Sequence, residues 1–167
     1  NNRILVHQGM RRIRGGLASP GIKALIEAAR RQASKLKASD MAYGLAPRLN
    51  AAGRLEDMSI GVACLLSDDL VIAKEIANRL NELNLERRTL ENKMEKDAYA
   101  TLEALDFNDI SNIGICVYDA SWHQGIVGLV ASRVKEKLHR PVIAFAKVSD
   151  NEIKGSARSV KGIHIRD

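Results

Sequence analysis

Hydrophobic positions along the chain keep helical spacing as far as about Leu105 and then change to a mixed strand and helix pattern. From residue 3 to 15 the apolar positions Ile4, Leu5, Met10 and Ile13 alternate with a basic face, which predicts a short helix closed by Gly15-Gly16. Ser19-Pro20 opens a second helix with Ile22, Leu25, Ile26 and Ala29 on its apolar face, because Ser is a good N-cap and Pro suits the first helical position. Ser39-Asp40 is expected to cap a third helix running through Met41, Leu45 and Leu49, which Pro47 should kink or split. A fourth, at about 57–67, carries Ile60, Val62, Ala63, Leu65 and Leu66. The most regular stretch then runs from Asp69 to Leu105, with Ile72, Ile76, Leu80, Leu83, Leu90, Met94, Ala98, Leu102 and Leu105 at helical spacing and no Pro or Gly between them. A helix of that length would span roughly 50 Å, more than the width of a small domain. It therefore bridges two lobes or pairs with another helix. Arg87 interrupts the stripe, which favours the bridge over a coiled coil.

Beyond the long helix the pattern becomes α/β. Ile113–Val117 reads as a buried strand, Gly125 to Leu138 as a helix, Pro141–Val148 as a second strand and 152–159 as a third, turning back at Ser149-Asp150-Asn151. This order predicts a small α/β lobe.

Composition adds one thing to this picture, a segregation of charge. Residues 1–56 have a net charge of +8, residues 57–131 a net of −7, and residues 132–167 a net of +5, within a total of +6. Two basic regions around an acidic one suit a polyanion held at two places, although a solvated surface gives the same count. Cys64 and Cys116 lie in apolar runs and are expected to be buried free thiols. No apolar stretch approaches ~20 residues and no signal peptide or lipidation motif occurs, which points to a cytoplasmic protein. The chain starts at Asn1-Asn2 and stops just after a dense basic segment, so both ends read as domain boundaries.

Three segments carry candidate chemistry. In GLAPRLNAAGRLED, residues 44–57, Arg48 and Arg54 flank Asn50 and the small residues Ala51, Ala52 and Gly53. Small side chains allow close approach and guanidinium groups can grip phosphate in a fork. A spacing of six does not put the two arginines on one helical face, so they cooperate only if the helix ends near Gly53. Close helix packing with solvated arginines is the other reading. In residues 121–145, His123, Gln124 and Gly125 lie between a strand and a helix, where exposed N–H groups collect, and Gly125 and Gly128 permit close approach. A lone His in such a place is more often structural, and no Ser-His-Asp order supports a hydrolase triad. In KGSARSVKGIHIRD, residues 154–167, Lys154, Arg158, Lys161 and Arg166 alternate with Gly155, Ser156, Ser159 and Gly162. Hydroxyls, glycine N–H groups and cations together make a phosphate site, unless the segment is an edge strand guarded by charge. It is not a Walker loop. His7, His123, His139 and His164 are scattered, and no group of Asp and His offers two-metal ligation. With 4% aromatic residues and Trp122 the sole tryptophan, an extensive base-stacking platform is not expected.

In this order and spacing, NNRILVHQGMRRIRGG, SPGIKALIEAA, APRLNAAGRLEDMSIGVACLL, WHQGIVGLVASRVKE, HRPVIAFA and KGSARSVKGIHIRD resemble the bacterial RecJ family of the DHH phosphoesterase superfamily. The resemblance implies an α/β fold in three parts. Residues 1–68 would be the C-terminal end of a DHH domain, 69–106 a long connecting helix, and 107–167 the start of a DHH-associated domain. It implies a single-strand-specific DNA exonuclease working 5′ to 3′ with Mg²⁺ or Mn²⁺ in recombination and DNA repair, beside helicases and single-strand-binding protein. The family's metal-binding aspartate and DHH motifs would lie upstream of Asn1, and its glycine-glycine-histidine motif beyond Asp167. The parent would then be the enzyme, and this piece alone inactive, with no catalytic or metal-ligating residue of its own. Arg48, Asn50 and Arg54 would line the DNA path, Ser156 and Arg158 would hold a terminal nucleotide phosphate, and His123 and Gln124 would join them. The two lobes would flank a cleft too narrow for duplex DNA. Two rivals remain at this point: a DHH phosphodiesterase of short oligonucleotides or cyclic dinucleotides, and a non-catalytic single-strand-binding or interaction module.

Overall fold

The computed structural model describes residues 2–103, 114–163 and 165, and divides into two compact units, Asn1–Arg87 and Arg88–Asp167.

The first unit is helical. Helix α1 (Asn2–Arg14) buries Met10 and Ile13, and Gly16, with φ of 80°, closes it in the left-handed conformation that glycine adopts without strain. Helix α2 (Pro20–Ala28) begins after Ser19, as expected, but the Ser19 hydroxyl makes no capping bond; Pro20 sets the entry. The expected third helix has a different start. A short turn α3 (Ala38–Asp40) is capped when the Lys37 backbone N–H donates to the Asp40 carboxylate at 2.8 Å, so Asp40 reaches back to the cap position from inside the helix. It runs through a π-helical turn (Met41–Leu45) into α4 (Ala46–Leu55), with Pro47 in the first turn of α4. Instead of a kink, the wider π turn just ahead of Pro47 absorbs the missing N–H and the bulk of the ring. Helix α5 (Ser59–Leu66) buries Gly61 and Cys64, but Val62, Leu65 and Leu66 are exposed, contrary to the apolar face read from the sequence. This helix is apolar nearly all round, so its composition did not disclose which side packs.

Helix α6 (Leu70–Glu103) has 34 residues and contributes to both units. The Asp69 carboxylate caps it by accepting from the N–H groups of Val71 and Ile72 at 2.6 and 3.2 Å. Its packed face follows the predicted stripe at Leu80, Leu83, Met94, Ala98 and Leu102 and departs from it at other positions. Ile72 is exposed and Ile76 half-buried, while Ala73, Ala77, Leu80, Leu83 and Asn84 are buried, followed by Glu91, Met94, Ala98 and Leu102. Polar Asn84 and Glu91 occupy buried positions beside Leu83 and Leu90 of the predicted stripe. Arg87, read as a break in the stripe, lies half-buried and donates to the Asn84 side-chain oxygen at 3.2 Å. The predicted end of this helix at Leu105 and the first residue of the predicted strand, Ile113, lie outside the described residues.

The second unit has a three-stranded sheet in the order β1-β2-β3. Strand β1 (Ile115–Asp119) pairs parallel with β2 (Val142–Ser149), which pairs antiparallel with β3 (Glu152–Arg158). Helix α7 (Val127–Leu138) links β1 to β2 and packs across β2 and β3. It buries Val127, Val130, Ala131 and Val134 against Val142, Ala144 and Ala146. Strand β1 is not buried on both faces. Ile115 and Val117 point inward while Cys116 and Tyr118 are exposed, which corrects the expectation of two buried thiols: Cys64 is buried and Cys116 is not.

Candidate nucleic-acid interface

The second and third candidate segments meet where β3 lies against the first turns of α7. Arg158, the last residue of β3, turns its side chain back over the helix. Its Nε donates to the Ser132 hydroxyl at 2.8 Å, and its Nη1 donates to the Ser156 hydroxyl at 2.9 Å and to the Ala157 carbonyl at 2.8 Å. The Ser132 hydroxyl in turn donates to the Gly128 carbonyl one turn earlier, at 3.0 Å. Ser156 and Arg158 are half-buried and two residues apart on one strand, so the period of two brings both side chains to the same face of the sheet. The register across the sheet sets Val142 opposite Arg158 and Ala144 opposite Ser156, two small or buried partners that leave that face to α7.

Gly128 makes this arrangement possible. A Cβ there would lie 2.9 Å from Arg158 Nη2 and 3.0 Å from Ser156 Oγ. Among the described residues, Nη2 makes no hydrogen bond, and the Ser156 hydroxyl accepts one but donates none. Two donors, one of them cationic, therefore stand beside the first turn of a helix that has no side-chain cap. Backbone N–H groups at a helix start, a guanidinium edge and a hydroxyl make up the donor set of an anion site, and of phosphate in particular.

The loop before α7 holds His123 and Gln124. The His123 Nδ1 accepts from the Gly125 N–H at 3.1 Å, a local turn bond, and the Gln124 side chain is exposed. Among the described residues, neither side chain is hydrogen-bonded to the Arg158 group. Asp119 at the end of β1 opens the same loop. Two bonds from Ser121, side-chain and backbone, hold its carboxyl below the usual range. Trp122 anchors the loop with only 4% of its surface exposed.

The first segment belongs to the other unit. Arg48 is half-buried on α4, and its guanidinium donates to the Asn81 side-chain oxygen of α6 at 3.0 Å, to the Gly44 carbonyl at 2.5 Å and to the Ala28 carbonyl at 3.3 Å. It ties α4 to α2 and α6. Helix α4 continues past Gly53 to Leu55, so Arg48 and Arg54 do not come to one face. Asn50 and Arg54, four apart, do share a face. Asn50 is exposed and Arg54 half-buried in the last turn. Among the described residues no three or more His, Cys, Asp or Glu side chains converge in a way that could hold a metal ion. His164 and Arg166 lie outside the described residues. No helix among the described residues is long and apolar enough to cross a membrane.

Reading the sequence alone did not find Ser132. It looks like an ordinary helix residue in VASRVKE, and only the fold shows that it faces Arg158, 26 residues away.

Comparison with known proteins bears on the same residues. The DHHA1 domain model matches residues 111–167, which include α7, β3 and the Arg158 group. All of the chain aligns, at 54% identity over 168 residues, with the single-stranded-DNA-specific exonuclease RecJ of Escherichia coli (strain K12). Over its whole length the chain is similar to a part of RecJ. It spans 29% of the length of that E. coli relative. Among solved structures, exonuclease RecJ bound to manganese superposes with a TM-score of 0.82 at 33% identity, covering 99% of this chain and 39% of the other. RecJ from Thermus thermophilus in complex with Mg²⁺ does so with a TM-score of 0.80 at 34% identity, covering 99% of this chain and 24% of the other. The mixed α/β fold expected from the resemblance is thus the fold of this part of RecJ.

Proposed function

We propose that this RecJ-like segment supplies the phosphate grip of a larger single-strand-specific DNA exonuclease that digests 5′ to 3′. The observation that carries the reading is the Arg158 group. An arginine and a serine from β3 are held against the uncapped first turn of α7, with Nη2 and one hydroxyl proton left for a ligand. A terminal phosphate of the strand is the anion it takes. The guanidinium and hydroxyl bind it without reference to the base, which suits digestion of any sequence. Residues 1–68 form the end of the DHH domain, 69–106 the connecting helix and 107–167 the start of the DHH-associated domain. Asn50 and Arg54 of α4 touch the strand along its path, and Arg48 holds that segment in place through its ties to Asn81, Gly44 and Ala28. His123 and Gln124 border the phosphate at the head of α7.

Divalent metal, Mn²⁺ or Mg²⁺ as in the solved RecJ structures, supplies the hydrolytic chemistry in the parent. The described residues here bind and orient the strand. In the cell the parent serves recombination and DNA repair in the cytoplasm, with helicases and single-strand-binding protein as its partners.

The test is Arg158→Ala in the whole exonuclease, assayed on a 5′-phosphorylated single strand. The expected result, measured well below the melting transition, is a loss of about ten-fold or more in kcat/KM, since a charge-assisted bond to substrate is removed. Wild-type activity would reject the reading.

A further inference from the structure

We infer that Ser132 and Gly128 are positioning residues that set the phosphate discrimination of the site. Ser132 fixes the orientation of the Arg158 guanidinium, and Gly128 leaves the space in which it lies. The inference rests on the phosphate grip proposed above and adds what makes that grip selective.

An arginine side chain has four rotatable bonds and sweeps a wide arc unless something stops it. Here each inner donor is committed. Nε is fixed by the Ser132 hydroxyl at 2.8 Å, and Nη1 by the Ser156 hydroxyl and the Ala157 carbonyl at 2.9 and 2.8 Å. The planar fork then has one outward edge, at Nη2. Ser132 can accept from Nε only with its lone pair turned toward β3, and its donation to the Gly128 carbonyl at 3.0 Å holds it so. The second element is steric. Any side chain at position 128 would place its Cβ 2.9 Å from Nη2 and 3.0 Å from Ser156 Oγ, the two atoms with donors to spare. Both are the ends of movable side chains and not backbone, so a methyl group there displaces the grip without unpacking the helix.

The consequence is specific. With the fork fixed, a terminal phosphate meets preformed donors, and a 5′-hydroxyl end, lacking the anion, gains little. With the fork loosened, both ends bind alike. The experiment uses the whole exonuclease and compares kcat and KM on matched single strands bearing a 5′-phosphate or a 5′-hydroxyl. Ser132→Ala and Gly128→Ala are expected to raise KM for the phosphorylated strand about ten-fold while kcat stays within about two-fold, erasing most of the discrimination. Ser132→Thr, which keeps the oxygen, is expected to restore it. Ser132→Ala in an Arg158→Ala background should change nothing further, because the residue acts only through Arg158. Melting temperature separates this from a folding defect, and Gly128→Ala should leave it unchanged or raise it. If Arg158→Ala abolishes discrimination while Ser132→Ala and Gly128→Ala keep the wild-type ratio, the positioning role is wrong and the grip stands. If Arg158→Ala itself keeps the wild-type ratio, the phosphate reading fails first.

Discussion

Gly21, in the first turn of α2, is the tightest backbone approach among the described glycines. A Cβ at this position would lie 1.9 Å from the Cys64 carbonyl oxygen, 2.8 Å from its carbonyl carbon and 3.1 Å from the Leu65 Cα, all backbone atoms of α5. No rotamer change relieves such a contact. Because real Cβ contacts do not fall below 3.0 Å, the two helices must part by about 1.1 Å, the difference between 3.0 and 1.9 Å. A gap of that size forfeits about half of the dispersion energy of the atoms along the seam, which here include the fully packed Leu25, Ile26 and Cys64. Overpacking of this kind costs about 1–3 kcal/mol. Gly→Ala in a helix gains up to about 1 kcal/mol in the opposite sense. The contact lies at the severe end, so Gly21→Ala is expected to destabilise by about 2 kcal/mol net. For a chain of this size that lowers the melting temperature by about 4–8 °C. Thermal unfolding followed by far-ultraviolet circular dichroism measures it. An equal or higher melting temperature would mean that helix propensity outweighs the clash, and that α2 and α5 do not meet at Gly21.

Two further outcomes follow from the packing. Arg48→Ala should destabilise by about 2 kcal/mol, because it leaves the Asn81, Gly44 and Ala28 oxygens without their donor, and a urea midpoint unchanged from wild type would place the guanidinium outside. A thiol reagent applied to the native protein should modify Cys116 and spare Cys64, whose thiol is buried and pushed up in pKa by that burial, with mass spectrometry locating the adduct; denaturant should expose both.

The fold was legible wherever period and punctuation agreed. The order of helices, the long helix and the strand-helix-hairpin of the second unit all follow from spacing and from Gly and Pro. The errors share a physical cause. On α6 the packed face runs through Ala73, Ala77, Asn84 and Glu91, residues whose small size or paired polarity suits a close contact but carries no hydrophobic signal. Glu91 is tolerated there because Arg133 meets it at 3.4 Å from α7. On α5 the reverse holds, with Val62, Leu65 and Leu66 apolar but exposed. The candidate site was half legible. Ser156 and Arg158 stand two apart on one strand, and the motif drew attention to both. Ser132 was not legible, because a serine within a helix gains meaning only when the sheet brings β3 alongside it. Arg48 was named for its charge, whereas its guanidinium donates to the Asn81, Gly44 and Ala28 oxygens of its own unit, which spacing along the chain does not show.

The central claim is that β3 and α7 together hold a phosphate of single-stranded DNA through Arg158. Its most direct measurement is the salt dependence of single-strand binding by the whole exonuclease and its Arg158→Ala variant, with hydrolysis suppressed by withholding divalent metal. The account predicts weaker binding and a log–log slope shallower by about 0.7, the signature of one lost phosphate contact on a single strand. An affinity and slope equal to wild type would contradict it.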